Sequence, residues 1–299
     1  MNYRRIILLL SVLTLIITLI VFVVFAPLTV SLSFDVERDP PLANKNEVTF
    51  RGVDEIPRIL GILKEHDAKG TFFVTGRIAD RYPEMLDEIV KNGHEIGVHG
   101  GYFHDKTLNG LSKVDQRDAI KGTFDLIEDA TGRNPSGYRA TGHLIDSLTI
   151  EALDEMGFMY DSSVVPSIGG LYLYGHPINS PERPYRPSID NLFIEGELGI
   201  TEVPLTPVVL NGNLDSLLGY QGVTITKMEL FIAIVDSKLT GKPVVLYLHP
   251  GIMTDLPNMP KNYRAGVELQ QEFDDVLDFL ERFNADYMTM EDLIFVKYS

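Results

Sequence analysis

Acidic and imidazole side chains follow three short apolar runs of this sequence. The groups are Asp35 and Glu37 after residues 28–34, His99 and His104 after residues 95–98, and His249 after residues 243–248. Each run is rich in β-branched and aromatic residues, which predicts a buried strand. Strands of an α/β fold that bring such groups to one end of a sheet can build a metal site or a general acid/base pair.

Asp35 and Glu37 are two residues apart, so in a regular strand their side chains point the same way. Paired carboxylates at a strand end can divide the work, one binding a metal and the other taking a proton. The alternative is a solvated acidic turn, because Arg38 and Asp39 follow and two prolines then end the strand.

His99 and His104 lie among glycines at positions 97, 100 and 101. A spacing of five does not put two side chains on one helix face, so both imidazoles would have to converge from a loop. Imidazole is the commonest zinc ligand in proteins and also suits cobalt and nickel. The alternative is a pair of hydrogen-bonded structural histidines.

Two further side chains are candidates for the same site. Arg139 follows a turn at Asn134-Pro135, and its planar fork could hold a carboxylate, although a surface cation is the alternative. His249 ends a strongly apolar run and precedes Pro250-Gly251. That position suits a general acid, and equally a capping histidine.

The rest of the chain alternates strand-like and helix-like segments. The predicted helices are 77–91, 113–131, 147–156, 226–239 and 267–283, and the further predicted strands are 71–74, 158–160 and 201–205. About seven such alternations predict one barrel-like α/β domain over residues 28–299. Residues 166–191 predict a long surface loop, whose Tyr172, Tyr174 and Tyr185 are candidate stacking platforms for a sugar.

Composition narrows the class of protein. The chain has 299 residues, a hydrophobic content of 44% and a formal net charge of −16, which disfavours nucleic acid and anionic lipid as partners. It contains no cysteine, so a disulfide, a thiolate metal site and a thiol nucleophile are excluded.

The N-terminus predicts a membrane anchor. Arg4 and Arg5 precede 21 uncharged residues, 6–26, enough to cross about 30 Å of hydrocarbon. Because the arginines come first, we expect residues 1–27 to form a cytoplasmic stub and a single-pass signal-anchor helix. Residues 28–299 would then lie outside the cytoplasm, and cleavage after Ala26 is the alternative.

Taken in order, these segments resemble the polysaccharide deacetylases, carbohydrate esterase family four, also called NodB-like domains. Residues 30–35, Val-Ser-Leu-Ser-Phe-Asp, resemble the family's Thr-Phe-Asp-Asp motif, and residues 93–99, Gly-His-Glu-Ile-Gly-Val-His, resemble the approach to its histidine motif. Residues 70–74 are similar to its second strand, residues 137–142 to its Arg-x-Pro motif, residues 160–163 to a segment that follows it, and residues 246–250 to its Leu-x-His motif. The resemblance implies a distorted (β/α)7 barrel.

The resemblance also implies a role for each candidate residue. Asp35 would be the catalytic base, His249 the acid that protonates the leaving amine, and Arg139 the group that holds the base. Glu37, His99 and His104 would bind a divalent metal, most often Zn²⁺, with Co²⁺ or Ni²⁺ as alternatives. A main-chain N–H near Gly142 would help to stabilise the oxyanion.

The sequence departs from the family pattern at three positions. The family's second aspartate falls on Val36, and Glu37 is its substitute. The second histidine of the family falls on Phe103, so His104 needs one extra loop residue. Thr141 replaces the proline of the arginine motif. His143 beside it is expected at the surface, and contact with the metal or the substrate is the alternative.

The expected function is therefore a metal-dependent hydrolase that removes N-acetyl groups from an extracellular or cell-surface glycan. One alternative is a catalytically inactive barrel that binds carbohydrate. The other is a related hydrolase acting on other non-peptide C–N bonds, such as those of cyclic amides.

Overall fold

Short buried strands alternate with helices along the chain. A computed structural model describes residues 3–39, 48–103, 107–166, 176–177, 180–207, 213–255, 260 and 262–298. The strands within these residues are β1 Leu28–Val36, β2 Gly70–Val74, β3 Glu95–His99, β4 Gly137–Arg139, β5 Tyr160–Asp161, β6 Thr201–Glu202, β7 Val244–Leu248 and β8 Ala285–Tyr287. The helices are α1 Tyr3–Phe25, α2 Ile56–Glu65, α3 Gly76–Arg81, α4 Pro83–Lys91, α5 Lys113–Thr131, α6 Ser147–Met156, α7 Leu214–Thr240, α8 Val267–Glu281 and α9 Met290–Lys297. Short 3-10 helices are Arg51–Glu55, Thr141–His143 and Pro250–Met253.

The strands form one sheet in the order β6-β5-β4-β3-β2-β1-β7, with β8 beside the start of β1. Every ladder in it is parallel. The two end strands approach each other through Thr206, whose N–H donates to Val245 O at 2.9 Å. The Val245 N–H in turn donates to Thr206 Oγ1 at 2.8 Å. The predicted parallel α/β fold is thus confirmed in the form of a half-barrel.

Strand β1 shows how this sheet separates its two faces. Leu32, Phe34 and Val36 point to the helix layer and belong to the larger apolar core. Ser33 and Asp35 alternate with them and point into the barrel, as the period of two requires. The interior of the barrel holds a second apolar cluster, which includes Phe73 and Tyr247 and is closed by residues of α9.

One predicted helix is wrong, because residues 77–91 form two helices and not one. The chain leaves helical geometry at Tyr82, with φ −134° and ψ 52°. Tyr82 precedes Pro83, and the proline ring disfavours the α conformation of the residue before it. Pro83 then starts α4, where its missing N–H costs no hydrogen bond.

Other boundaries follow from local capping. Helices α5 and α6 have the predicted bounds, and the Ser112 side chain accepts from the Asp115 N–H at the start of α5. Helix α7 begins twelve residues before the predicted start, where the Asn213 side chain accepts from the Ser216 N–H. Gly222, with φ 75°, kinks it. Strands β5 and β6 are two residues long, shorter than predicted.

The N-terminal apolar segment forms α1. Its large apolar side chains include Leu13, Leu15 and Phe25, which are 53%, 69% and 71% exposed. That α1 crosses a membrane stays a prediction. Among the residues that the structure describes, α7 is the one helix that meets the length and composition of a membrane span, and one third of its most apolar stretch is buried.

Candidate active site

The strands bring the candidate residues to one edge of the sheet. His99 is the last residue of β3 and pairs in register with Arg139, the last residue of β4. Asp35 lies near the end of β1, and His249 directly follows β7, the neighbour of β1. Because all these strands are parallel, the four side chains share the carboxyl edge of the sheet, where α/β folds build their sites.

Asp35 forms a buried ion pair with Arg139. The Arg139 Nη1 donates to Asp35 Oδ1 at 2.7 Å, and the two side chains are 0% and 3% exposed. Burial raises the pKa of Asp35, but Arg139, His99 and His249 together hold that pKa below its usual value. Asp35 is therefore ionised at neutral pH, and the alternative of a solvated acidic turn does not describe it.

Arg139 is held on every side of its guanidinium group. Its Nη1 also donates to Ser33 Oγ at 2.9 Å, its Nε to Ser162 O at 2.8 Å and its Nη2 to Ser162 Oγ at 2.9 Å. The guanidinium carbon lies 4.2 Å from the ring centroid of Phe73 and 5.3 Å from that of Tyr247. Hydrogen bonds in the plane and aromatic rings at its faces fix one orientation of this cation.

Glu37 and His99 form the described part of the predicted metal site. Glu37 Oε2 lies 3.0 Å from His99 Nε2. The other ring nitrogen, Nδ1, is 3.1 Å from Arg139 O. A carbonyl oxygen only accepts, so Nδ1 carries a proton and Nε2 is the ring nitrogen that is directed at Glu37. One carboxylate and one oriented imidazole fit a divalent cation, and His104 lies outside the described residues.

His249 is held by a carboxylate that the sequence did not single out. Its Nδ1 is 3.0 Å from Oδ2 of Asp215, which is buried in the first turn of α7. Its Nε2 is 3.7 Å from Glu37 Oε1. Burial lowers the pKa of His249, but Asp215, Glu37 and Asp35 outweigh burial and raise that pKa to about 10. His249 is therefore protonated at neutral pH.

The chain turns sharply just after Arg139. Gly142 has φ 61°, which favours glycine, and a Cβ atom added there would meet no heavy atom within 4 Å. The main chain at Gly142 therefore borders open space. His143 was predicted at the surface and this is wrong, because it is 3% exposed and packs on Tyr247 with ring centroids 4.9 Å apart. Burial lowers the pKa of His143 to about 3.

A second pair of buried carboxyl groups lies behind Arg139. Asp161 and Glu202 face each other across β5 and β6 and are 0% and 1% exposed. Ser163 Oγ donates to Asp161 Oδ1 at 2.6 Å and accepts from the Ala140 N–H at 2.8 Å. Burial raises the pKa of both acids, and the proximity of Asp161 raises that of Glu202 further. One proton shared by the pair fits this geometry.

The predicted sugar-stacking tyrosines have different outcomes. Tyr185 is wrong as a stacking platform, because it is 5% exposed and its hydroxyl donates to Leu192 O at 2.7 Å. Tyr172 and Tyr174 lie outside the described residues.

Known proteins resemble this chain in sequence and in fold. Residues 27–160 match the sequence model of the polysaccharide deacetylase family. A peptidoglycan deacetylase of Helicobacter pylori is 34% identical over 116 residues, which span 39% of this chain and 39% of that protein.

Two solved structures share the fold. A "probable polysaccharide deacetylase" from Pseudomonas aeruginosa PAO1 superposes with a TM-score of 0.64 at 16% identity, covering 89% of each chain. An allantoinase superposes with a TM-score of 0.63 at 18% identity, covering 89% of this chain and 88% of its own.

Proposed function

We propose that this chain hydrolyses N-acetyl groups of a glycan, because residues 27–160 match the sequence model of the polysaccharide deacetylase family. The observation that carries the proposal is the buried pair of Asp35 and Arg139 beside the pair of His249 and Asp215. Glu37 contacts both His99 and His249, so the candidate acid and the two described candidate ligands belong to one cluster. An inactive carbohydrate-binding barrel would need neither a buried base nor a protonated acid.

Asp35 is the proposed general base. The ion pair with Arg139 keeps it ionised, which is the form that can take a proton from the attacking water. Arg139 is in turn fixed by Ser33 and Ser162, so Asp35 does not need to reorient during the reaction.

His249 is the proposed general acid. An amine is a poor leaving group unless it is protonated, and His249 carries a proton at neutral pH. Asp215 accepts a hydrogen bond from the Nδ1–H of His249, so the Nε2–H of His249 is the one that points toward Glu37 and can be donated. Main-chain N–H groups at the turn around Gly142 are the proposed donors to the developing oxyanion.

Glu37, His99 and His104 are the proposed ligands of a divalent metal, Zn²⁺ or in its place Co²⁺ or Ni²⁺. Such an ion polarises a carbonyl and lowers the pKa of water. The contact between His99 Nδ1 and the Arg139 carbonyl supports a metal-binding role for His99. A histidine that binds a metal through one ring nitrogen usually donates the N–H of the other to such an acceptor.

The proposed substrate is a cell-wall or cell-surface polymer of N-acetylated sugars. The sequence similarity to a peptidoglycan deacetylase favours peptidoglycan among such polymers. We also propose that α1 anchors the chain in the cell membrane, with the catalytic domain outside the cytoplasm. The exposed apolar side chains of α1 support this, because water is a poor solvent for them.

Acetate release from peptidoglycan and from N-acetylglucosamine oligomers tests the proposal. The wild-type protein should release acetate, and a chelator should abolish the release. Asp35→Asn should lower kcat by about 10²–10⁴-fold, the usual contribution of a general base, while the bound metal is retained. Asp87→Asn on the outer face of α4 is the matched control, with activity unchanged.

Two results would contradict the proposal. The first is a metal-loaded wild-type protein that binds these glycans and releases no acetate, which would favour the inactive binding barrel. The second is hydrolysis of a cyclic amide such as allantoin without acetate release from any glycan.

A further inference from the structure

The second half of α7 carries apolar side chains on two opposite sides. Leu230 and Ile234 are 0% exposed and pack into the core. The other side bears four large apolar side chains, Met228, Phe231, Ile232 and Leu239, which are 62%, 45%, 65% and 60% exposed. Their spacing places them within one strip of the helix surface, which we call the α7 stripe.

Two charged side chains near the α7 stripe, Lys227 and Asp236, form ion pairs with residues outside it. Lys227 Nζ lies 3.6 Å from Asp275 Oδ1 on α8. Asp236 pairs with Lys242 beyond the end of α7. The stripe is an apolar surface on the outside of the barrel, and contact with protein or lipid is one use of such a surface.

The α7 stripe is continuous with the end of α1. Lys238 Nζ donates to Ala26 O and to Phe283 O, both at 2.6 Å, and so ties the last turn of α7 to the residue after α1. The ring of Phe283 lies 5.8 Å from that of Phe231 in the stripe. The α7 stripe therefore lies next to the end of α1.

The size of the stripe argues against a second protein chain as its cover. The stripe spans residues 228–239, about 18 Å of helix and about 10 Å in width, so its area is on the order of 200 Å². A stable protein interface buries about 800 Å² on each partner. A lipid contact has no such minimum, because it only extends an interface that α1 already makes.

We propose that the α7 stripe lies in the surface layer of the same bilayer that holds α1, so that the barrel rests on the lipid through α7. The proposal depends on the anchoring of α1 proposed above. Because the chain has a net charge of −16, anionic headgroups would repel it, and the leaflet in contact is therefore zwitterionic. Because the side chains of the stripe are apolar, they contact the acyl chains of that leaflet and not its headgroups.

The sequence makes a direct test possible, because it contains no tryptophan. A single tryptophan can report its own position in full-length protein reconstituted into phosphatidylcholine nanodiscs, one chain to a disc. Lipids brominated in the upper acyl chain quench tryptophan only on contact. The reporters are Leu13→Trp in α1, Phe231→Trp in the stripe and Val114→Trp on α5, whose side chain is 57% exposed.

We expect brominated lipid to reduce the emission of Leu13→Trp and Phe231→Trp and to leave that of Val114→Trp unchanged. Ile232→Trp is a second reporter of the stripe, in case Phe231→Trp does not fold.

Quenching of Leu13→Trp alone would overturn the α7 contact while α1 stays anchored. No quenching at either position would overturn both proposals, and quenching of all three would overturn a contact specific to α7. A blue-shifted but unquenched Phe231→Trp would indicate a protein cover and would also overturn the lipid contact.

Discussion

Arg139 holds the candidate base through a set of contacts on every side of its guanidinium group. It is fully buried, and its guanidinium group contacts Asp35, Ser33 and Ser162 in its plane and two aromatic rings at its faces. Lysine has a point charge and could not reproduce these planar contacts. Behind Arg139 lies the carboxyl pair of Asp161 and Glu202. Asp161 accepts from Ser163 Oγ, which accepts from the Ala140 N–H, and these bonds fix the main chain directly after Arg139.

At the same scale, Asp215 is predicted to act through His249. Asp215→Asn removes the negative charge that favours protonated His249, so less acid is present to protonate the leaving amine. We expect kcat to fall by about 10²–10⁴-fold with little change in KM, since Asp215 orients the acid and the proposal gives it no contact with substrate. Steady-state kinetics of acetate release would measure both. An unchanged kcat would mean that His249 is not the acid.

The candidate residues at strand ends could be chosen from sequence because each follows an apolar run. Asp35, Glu37, His99 and His249 were found in this way. Asp215 could not be, because it lies in the first turn of a helix, 34 residues before His249, and its spacing to other candidates carries no signal. Burial of His143 was missed because it depends on Tyr247, a residue of a distant strand.

Strand β1 is the element that joins core and site. Its outward residues pack on helices, and its inward residues include the candidate base. Phe34 stacks on Phe72 with ring centroids 4.6 Å apart and meets Phe273 of α8 edge-on at 6.1 Å. Loss of this ring would therefore weaken the packing of β1 against both β2 and α8.

Phe34→Ala is predicted to destabilise the protein by about 3–5 kcal/mol, the usual cost of removing a buried phenyl ring. Urea unfolding followed by circular dichroism would measure this. Phe295→Ala, at a position 70% exposed, is the control and should change stability by less than about 0.5 kcal/mol. Equal effects of the two substitutions would contradict the assigned packing.

Elements with strong local signals were predicted with their bounds, and the others were not. Helices α5 and α6 carry an N-cap and a glycine stop, and both bounds agree with the sequence. Residues 77–91 show continuous helical periodicity, which concealed the break that Pro83 forces at Tyr82. The start of α7 was missed although Leu214, Leu217 and Leu218 have helical spacing, because two glycines, Gly219 and Gly222, interrupt the segment that follows them.

At the scale of the whole molecule, the pH dependence of stability should reflect the buried acid pair. The pKa of Glu202 is raised in the folded state, first by burial and then by Asp161. A raised pKa means that the folded state binds this proton more tightly than the unfolded state. This tighter proton binding stabilises the folded state. The stabilisation is fully present below about pH 4.3, the pKa of glutamate in an unfolded chain, and is lost as the pH rises through the pKa of Glu202 in the folded state.

Glu202→Gln should reduce that loss, because the amide stays neutral and can donate to Asp161. Between pH 5 and pH 8, the urea midpoint of the wild type should fall more than that of the variant. Each tenfold difference in proton affinity between the folded and unfolded states corresponds to about 1.4 kcal/mol of stability. Glu65→Gln, exposed on α2, is the control and should follow the wild type. Parallel pH profiles for Glu202→Gln and wild type would contradict a proton held by this pair.

The length of β1 limits where the proposed reaction would take place. This strand of nine residues begins three residues after α1 ends and carries Asp35 near its far end. At about 3.3 Å per residue, Asp35 lies no more than about 33 Å from Phe25 at the end of α1, whatever the tilt of the barrel. If α1 is embedded as proposed, only the innermost layer of the wall is within reach. The amino groups that the reaction uncovers would then line the inner boundary of the polymer and leave its outer layers acetylated.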